Sequence, residues 1–169
     1  MRIIDSAISE IDLETIQNLL LGINFSWYFF SSTINKHTID DDINDFQLCH
    51  SFYAKAGSMK GYSEHFKVIE PILDKLKIRT LIRIKANLRT VAPKQDMIAG
   101  WHTDTKLKST TAIFYVNTNN GYTIFKESKK KVKSVENRLV IFPTELEHCG
   151  VSCTDNKQRV VINFNYIKE

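Results

Sequence analysis

Leu81-Ile82-Arg83-Ile84-Lys85-Ala86-Asn87-Leu88-Arg89 reads as a β-strand with one dry and one wet face. Ile82, Ile84, Ala86 and Leu88 fall on one side; Arg83, Lys85, Asn87 and Arg89 fall on the other. A two-residue period separates side chains in this way. The same alternation returns in residues 109–117, with Ala112, Phe114 and Val116 opposite Thr111, Ile113, Tyr115 and Asn117. Asn119-Asn120-Gly121 then supplies a strong turn signal. Further runs follow at 122–127, 132–135 and 138–142, and residues 159–166 close the series. The second half of the chain is strand after strand.

The first half carries two helical patterns. Ser9 is placed to cap a helix running to about Leu21, with Leu13, Ile16, Leu19 and Leu20 as its apolar face and Gly22 as its stop. Residues 25–30 (Phe-Ser-Trp-Tyr-Phe-Phe) read as a strand by aromatic content, and residues 46–53 as another. Asp40-Asp41-Asp42 lies in a polar loop without the spaced ligands and glycine of a calcium loop. Ser63 is placed to cap a second helix with Phe66, Ile69, Leu73 and Leu76 at core spacing. Pro71 falls inside that helix and should kink or restart it. Helices first and then many short antiparallel strands predict an α+β fold, a β-sandwich or small barrel with helices on one side.

The bulk properties fit one domain over residues 1–169, long enough for a real core. No apolar run is long enough to span a bilayer, and Met1-Arg2-Ile3-Ile4-Asp5 lacks the regions of a signal peptide. Three cysteines, an odd number, argue against a disulfide framework and fit a reducing cytoplasm. The net charge is only +4, and residues 126–133 hold five lysines. The plain reading of that run is a solvated hairpin; the sharper one is a grip on an acidic or nucleic-acid substrate.

Trp101-His102-Thr103-Asp104, followed by His148 and Arg159, carries the chemistry. Two imidazoles and one carboxylate on one face are the ligand set of non-heme Fe(II) oxygenases, which leave the opposite face of the metal open. A nearby arginine offers a planar fork that pairs bidentately with a carboxylate co-substrate such as 2-oxoglutarate. Residues i and i+2 of a strand share a face, whereas on a helix they diverge by about 200°. His102 and Asp104 therefore need a strand or its end. Thr154-Asp155-Asn156-Lys157 is a good turn sequence. A hairpin turning between Asp155 and Asn156 sets Ser152 opposite Arg159 and His148 opposite Asn163. His148, Arg159 and Asn163 then share one face, with Val160, Ile162, Phe164 and Tyr166 on the other. An Arg and an Asn pointing inward are costly unless something anionic or polar meets them.

The chain resembles the Fe(II)/2-oxoglutarate-dependent oxygenases with a double-stranded β-helix (jelly-roll) core, in their prolyl-hydroxylase-like branch and its small phage-type members. The resemblance lies in residues 101–104, 111–117, 121–125, 137–143, 148 and 159–166, roughly the span 79–166. It implies a jelly-roll catalytic core over about 79–167, with N-terminal helices packed against one sheet and about 1–78 as support. His102, Asp104 and His148 would be the iron ligands. Arg159 would bind the distal carboxylate of 2-oxoglutarate, with Tyr115 sharing it and Asn87 supporting the keto-acid end. Arg159 follows His148 by eleven residues, slightly more than the usual spacing. Lys157 competes for its role, but Arg159 fits the strand parity better. Where relatives often carry a small hydroxyl residue two after the arginine, this chain has Val161, and Asn163 would supply the missing hydrogen bond. The implied reaction is C–H hydroxylation with Fe(II), 2-oxoglutarate and O2, giving succinate and CO2, with ascorbate as reductant.

Other chemistries fit less well. Cys149 and Cys153 are an imperfect half of a zinc site and alternate away from His148, which suits small core residues. No Gly-x-Ser-x-Gly elbow marks a hydrolase. A jelly-roll module that binds metal without turnover stays open. For the substrate, the resemblance favours a protein or peptide residue such as proline, with a nucleic-acid base as runner-up.

Overall fold

The computed structural model describes residues 1–31, 46–56 and 59–169. Asp40-Asp41-Asp42 and His37 lie outside the described residues. The elements are β1 (Arg2–Ile4), α1 (Glu10–Leu20), β2 (Tyr28–Phe30), β3 (Gln47–Ala56), β4 (Met59–Tyr62), a 3-10 turn (Phe66–Ile69) and α2 (Glu70–Leu73). Eight further strands follow: β5 (Ile78–Thr90), β6 (Met97–His102), β7 (Thr110–Tyr115), β8 (Tyr122–Phe125), β9 (Lys131–Lys133), β10 (Arg138–Pro143), β11 (His148–Val151) and β12 (Gln158–Lys168).

These last eight strands form a jelly roll. The large sheet has the order β1-β10-β7-β12-β5-β3-β2, with β4 paired to β3; the small sheet has the order β6-β11-β8-β9. All pairings are antiparallel. The chain crosses between sheets at nearly every step, from β5 to β6, β6 to β7 and β7 to β8, and again from β9 to β10 onward. The expected double-stranded β-helix is therefore the observed fold.

Alternation on the large sheet separates two interiors. Ile84, Ala86 and Leu88 of β5, Ala112 and Phe114 of β7, and Val160, Ile162, Phe164 and Tyr166 of β12 pack into one core with Leu13, Ile16 and Leu20 of α1. Ile113, Tyr115, Val140, Phe142 and Val161 face the small sheet and meet its Phe125 and Val132. An isolated 11-residue helix is marginal in water, so docking supports α1 more than propensity does. Each fully buried Leu or Ile contributes about 1.5–3 kcal/mol to that docking. Ser9 caps the helix, its Oγ accepting from the Asp12 amide at 3.2 Å. Gly22 closes it through close approach, since a Cβ there would collide with the Asn18 carbonyl. Pro71 restarts the second helix as expected, the 3-10 turn giving way to α2 at Glu70. No helix among the described residues is long and apolar enough to cross a membrane.

Two expectations are corrected. The aromatic run shrinks to the three-residue edge strand β2. More consequentially, β11 and β12 do not form a hairpin. β11 pairs with β6 and β8 in the small sheet, whereas β12 pairs with β5 and β7 in the large one. The 154–157 turn is pinned instead to the β7–β8 connection, where Asp155 accepts from the Asn120 amide and Asn120 Nδ2 donates to Thr154. His148 thus opposes His102 and Phe125 rather than Asn163, and Arg159 opposes Arg89 rather than Ser152.

Candidate metal centre and its cavity

His102 and His148 are direct partners across β6 and β11, with ring centroids 4.8 Å apart. Each ring is oriented from behind. His102 Nδ1 lies 3.1 Å from the Gly100 carbonyl, and His148 Nδ1 lies 3.0 Å from the Leu146 carbonyl. A carbonyl can only accept, so both Nδ1 atoms carry a proton, which leaves each Nε2 as the ring nitrogen that faces the site and can ligate a metal. Phe142 packs edge-on against the His148 ring at 4.9 Å. Burial pushes the His148 pKa down, with Asp104 opposing the shift.

Asp104 sits two residues past His102, just beyond the end of β6. Its side chain is only 5% exposed, yet both oxygens are held. Asn165 Nδ2 donates to Oδ2 at 3.2 Å, and Arg83 Nη2 approaches Oδ1 at 3.4 Å. Burial opposes the carboxylate's charge, but His148, Arg83 and the Asn165 hydrogen bond outweigh it and hold the pKa below the usual carboxylate value. One donor atom from each of His102, Asp104 and His148 lies within 4.8 Å of the others.

These three side chains open into a cavity of about 220 Å³ between the sheets. Arg159, Asn163 and Asn87 line it, as do Lys85 and Arg89. Arg159 is 5% exposed. Its Nε donates to Ser134 Oγ at 3.1 Å and its Nη2 to Thr123 Oγ1 at 3.4 Å. Burial lowers its pKa from the ordinary guanidinium value. Asn163 Oδ1 is buried and meets no hydrogen-bond partner among the described residues. Asn87 Oδ1 accepts from Cys49 Sγ at 3.3 Å. Tyr115 stands behind this wall, fully buried. Its hydroxyl donates to Thr123 Oγ1 at 2.8 Å, and the Arg159 guanidinium lies 5.8 Å from its ring centre.

Other sequence candidates fall elsewhere. Lys157 is exposed, Cys149 and Cys153 are buried free thiols, and His50 bonds the Ser26 carbonyl and Ser63 Oγ in the core. None of the five lysines of residues 126–133 lines the cavity, and Lys126 pairs with Glu147 at 2.8 Å. Sequence reasoning missed Arg83 and Asn165 as partners of Asp104. Both were legible in part, because Arg83 lies on the wet face of β5 and Asn165 shares the parity of Arg159 and Asn163. Thr123 and Ser134, which hold Arg159, carried no such signal.

The whole fold overlays on solved oxygenases. A 2-oxoglutarate/Fe(II) oxygenase family oxidoreductase from Burkholderia pseudomallei matches with a TM-score of 0.71 over 98% of this chain and 83% of that one, at 13% identity. The fold is that of the 2-oxoglutarate/Fe(II) oxygenases. A prolyl hydroxylase from Trichoplax adhaerens, in complex with a hypoxia inducible factor peptide fragment, matches at TM-score 0.63 and 13% identity, over 99% of this chain and 83% of that one. A viral collagen prolyl hydroxylase from Paramecium Bursaria Chlorella virus-1, in a 2-oxoglutarate complex, matches at TM-score 0.57 and 12% identity, over 99% and 96%. No family model matches the sequence, and no curated protein does. The likeness to these oxygenases is one of fold.

Proposed function

We propose that the chain is an Fe(II)- and 2-oxoglutarate-dependent dioxygenase that hydroxylates a C–H bond of a peptide residue such as proline. The observation that carries this reading is the convergence of His102, Asp104 and His148 in the cavity that also holds the buried Arg159. The donor set fits the metal: two imidazoles whose Nδ1 atoms bond backbone carbonyls and one carboxylate held ionised are a facial triad for iron. The cavity also fits the keto acid. Among the described residues Arg159 has no carboxylate partner, and a buried cation is costly until it meets one.

In this reading the iron and 2-oxoglutarate, once bound, supply the activation of O2 that turns C–H into C–OH. The balance is one O2, one 2-oxoglutarate and one substrate giving hydroxylated substrate, succinate and CO2, which needs no other reductant; ascorbate would re-reduce iron only after a turnover that leaves the substrate unoxidised. The chain's own residues bind and orient. Gly100 and Leu146 fix the imidazole tautomers through their carbonyls, Asn165 and Arg83 hold the carboxylate, and Arg159 grips the distal carboxylate of the keto acid. Asn163 and Asn87 lie on the same wall as hydrogen-bonding groups for it. Tyr115 acts through Thr123, which bonds both its hydroxyl and Arg159. Ile98, Ile113 and Val161 line the rest and limit water.

Two prolyl hydroxylases among the structural neighbours, one of them with a peptide, support the peptide substrate. A base-modifying oxygenase is the second reading, favoured by the exposed Tyr28, Phe29 and Phe30 of β2, since bases stack on such rings. The test is anaerobic titration with Fe(II) and then 2-oxoglutarate, following the visible charge-transfer band of the chelate. The band should vanish in His102→Ala and need far more 2-oxoglutarate in Arg159→Ala. An iron-binding protein without the band would instead be a metal-binding module.

A further inference from the structure

Strand β6 does not run evenly against β11. Gly150 stands opposite Ile98 and Val151 opposite Met97, yet His148 stands opposite His102. A two-residue step on β11 is thus matched by a four-residue step on β6. β6 carries two extra residues there, a bulge of the kind that re-aims side chains. Even pairing carried on from Ile98 would set Gly100 opposite His148. It would leave His102 two places further on, about 7 Å away at 3.4 Å per residue. That place lies past the first residue of β11. The bulge keeps the face, since two residues are one full period of a strand. It changes only which residue of that face meets His148.

Gly100 sits at the centre of the bulge. Its φ is +64°, in the left-handed region that residues with a Cβ rarely enter. Space does not demand the glycine, because a Cβ at this position would meet nothing within 4 Å beyond its chain neighbours. The backbone conformation demands it. The residue that turns the strand also holds the ring, its carbonyl accepting from His102 Nδ1 at 3.1 Å. Where the bulge begins, the fully buried Cys149 donates from Sγ to the Ile98 carbonyl at 3.2 Å. The two imidazole centroids end 4.8 Å apart.

We propose that Gly100 is a positioning residue for the metal centre: its left-handed turn sets the bulge that brings His102 across from His148, and its carbonyl holds the His102 ring with Nε2 toward the site. This rests on the oxygenase reading above, in which His102 is a ligand.

The requirement is for a residue that accepts positive φ, not for a small one. Asparagine enters the left-handed region more readily than alanine, and the chain already holds Asn137 at φ 59°. Alanine is the smaller of the two. A demand for size and a demand for backbone conformation therefore rank the two variants in opposite order.

The test uses the full-length protein with Co(II) as the probe, without O2 or substrate. Three quantities are read: the Kd by titration calorimetry, the visible spectrum of the bound ion, and the exchangeable imidazole N–H signals that the paramagnetic ion shifts. Wild-type protein should show two protected N–H signals, one from each Nδ1. Gly100→Ala should raise the Kd at least about tenfold, the scale of groups that orient metal ligands, while altering the spectrum and losing one N–H signal. Gly100→Asn should stay within about threefold of wild type and keep both signals, as the residue best able to replace glycine at positive φ. Ile16→Val trims the core beside α1, controls for lost stability, and should leave all three readouts unchanged. Unchanged binding in Gly100→Ala, or an equal loss in the Ala and Asn variants, overturns the inference. Where Gly100→Ala fails to fold, the other two proteins decide: a tenfold loss in Gly100→Asn, or a single protected N–H signal in wild type, overturns it. Wild-type protein that binds no Co(II) removes the oxygenase reading itself, and the inference with it.

Discussion

Asn165 Nδ2 donates to Asp104 Oδ2 over 3.2 Å, while Asn165 Oδ1 accepts from Arg83 Nε over 3.1 Å. Arg83 in turn reaches the other oxygen of Asp104, so one Asn–Arg pair holds the carboxylate at both ends. Groups that orient metal ligands typically carry 10–100-fold of metal affinity. Asn165→Leu should therefore weaken Fe(II) or Co(II) binding by about that factor, as read by titration calorimetry. It also takes the acceptor from Arg83 Nε and one of two hydrogen bonds from Thr111 Oγ1, which keeps Thr144, at a cost of about 1–3 kcal/mol by urea unfolding.

Arg159 should link 2-oxoglutarate to stability. A ligand at about 100 times its Kd stabilises by about 2.7 kcal/mol, or roughly 5–10 °C in Tm for a chain of this size. Wild-type protein held anaerobically with Fe(II) should show that rise when 2-oxoglutarate is added. Arg159→Met should show little of it, while responding normally to Fe(II) alone. An equal rise in both proteins would place the keto acid elsewhere.

The faces of the strands were legible in the sequence, but the sheet each strand joins was not. On β5, β7 and β12 the two-residue period separates Ile84, Phe114 and Ile162 from Lys85, Tyr115 and Asn163, because both faces are packed against something different. The turn at 154–157 reads the same whether the next strand pairs with the last or crosses to the other sheet. The hairpin expectation failed there, although the parity within β12 held. His148 and Arg159 reach one cavity from opposite walls, and only the jelly-roll crossing brings them together. Strand β1 gave no sign, since three residues are too few to show a period.

Acid should destabilise the ligand-free protein through His148. Its folded pKa is depressed below the ordinary value of 6.5, so the unfolded chain binds the proton more readily. Stability is then complete above about pH 6.5 and falls as pH drops through the window below it. The slope reaches at most about 1.4 kcal/mol per pH unit. The Asp104 shift has the same sign but acts only below 3.8. Melting curves between pH 7 and pH 5 should show a falling Tm in wild-type protein and a flatter profile in His148→Gln. Identical slopes would assign the acid sensitivity to other groups.

Gly121 has a packing duty that ties the Asn119-Asn120-Gly121 turn to the cavity. A Cβ at this position would stand 2.8 Å from Arg159 Cδ, from Asn119 Oδ1 and from the Val151 carbonyl. Two of those three atoms belong to the turn and to the small sheet, so the Arg159 side chain is the part that can yield. Overpacking of this kind typically costs 1–3 kcal/mol. Gly121→Ala should lose about that much stability by urea unfolding. It should also raise the 2-oxoglutarate concentration needed for the chelate band, because the displaced guanidinium loses its bonds to Ser134 and Thr123. Thr118→Ala, at an exposed position near the same turn, serves as the control and should leave the 2-oxoglutarate requirement unchanged. Loss of stability in Gly121→Ala with an unaltered 2-oxoglutarate requirement would show that the turn, and not Arg159, absorbs the added methyl.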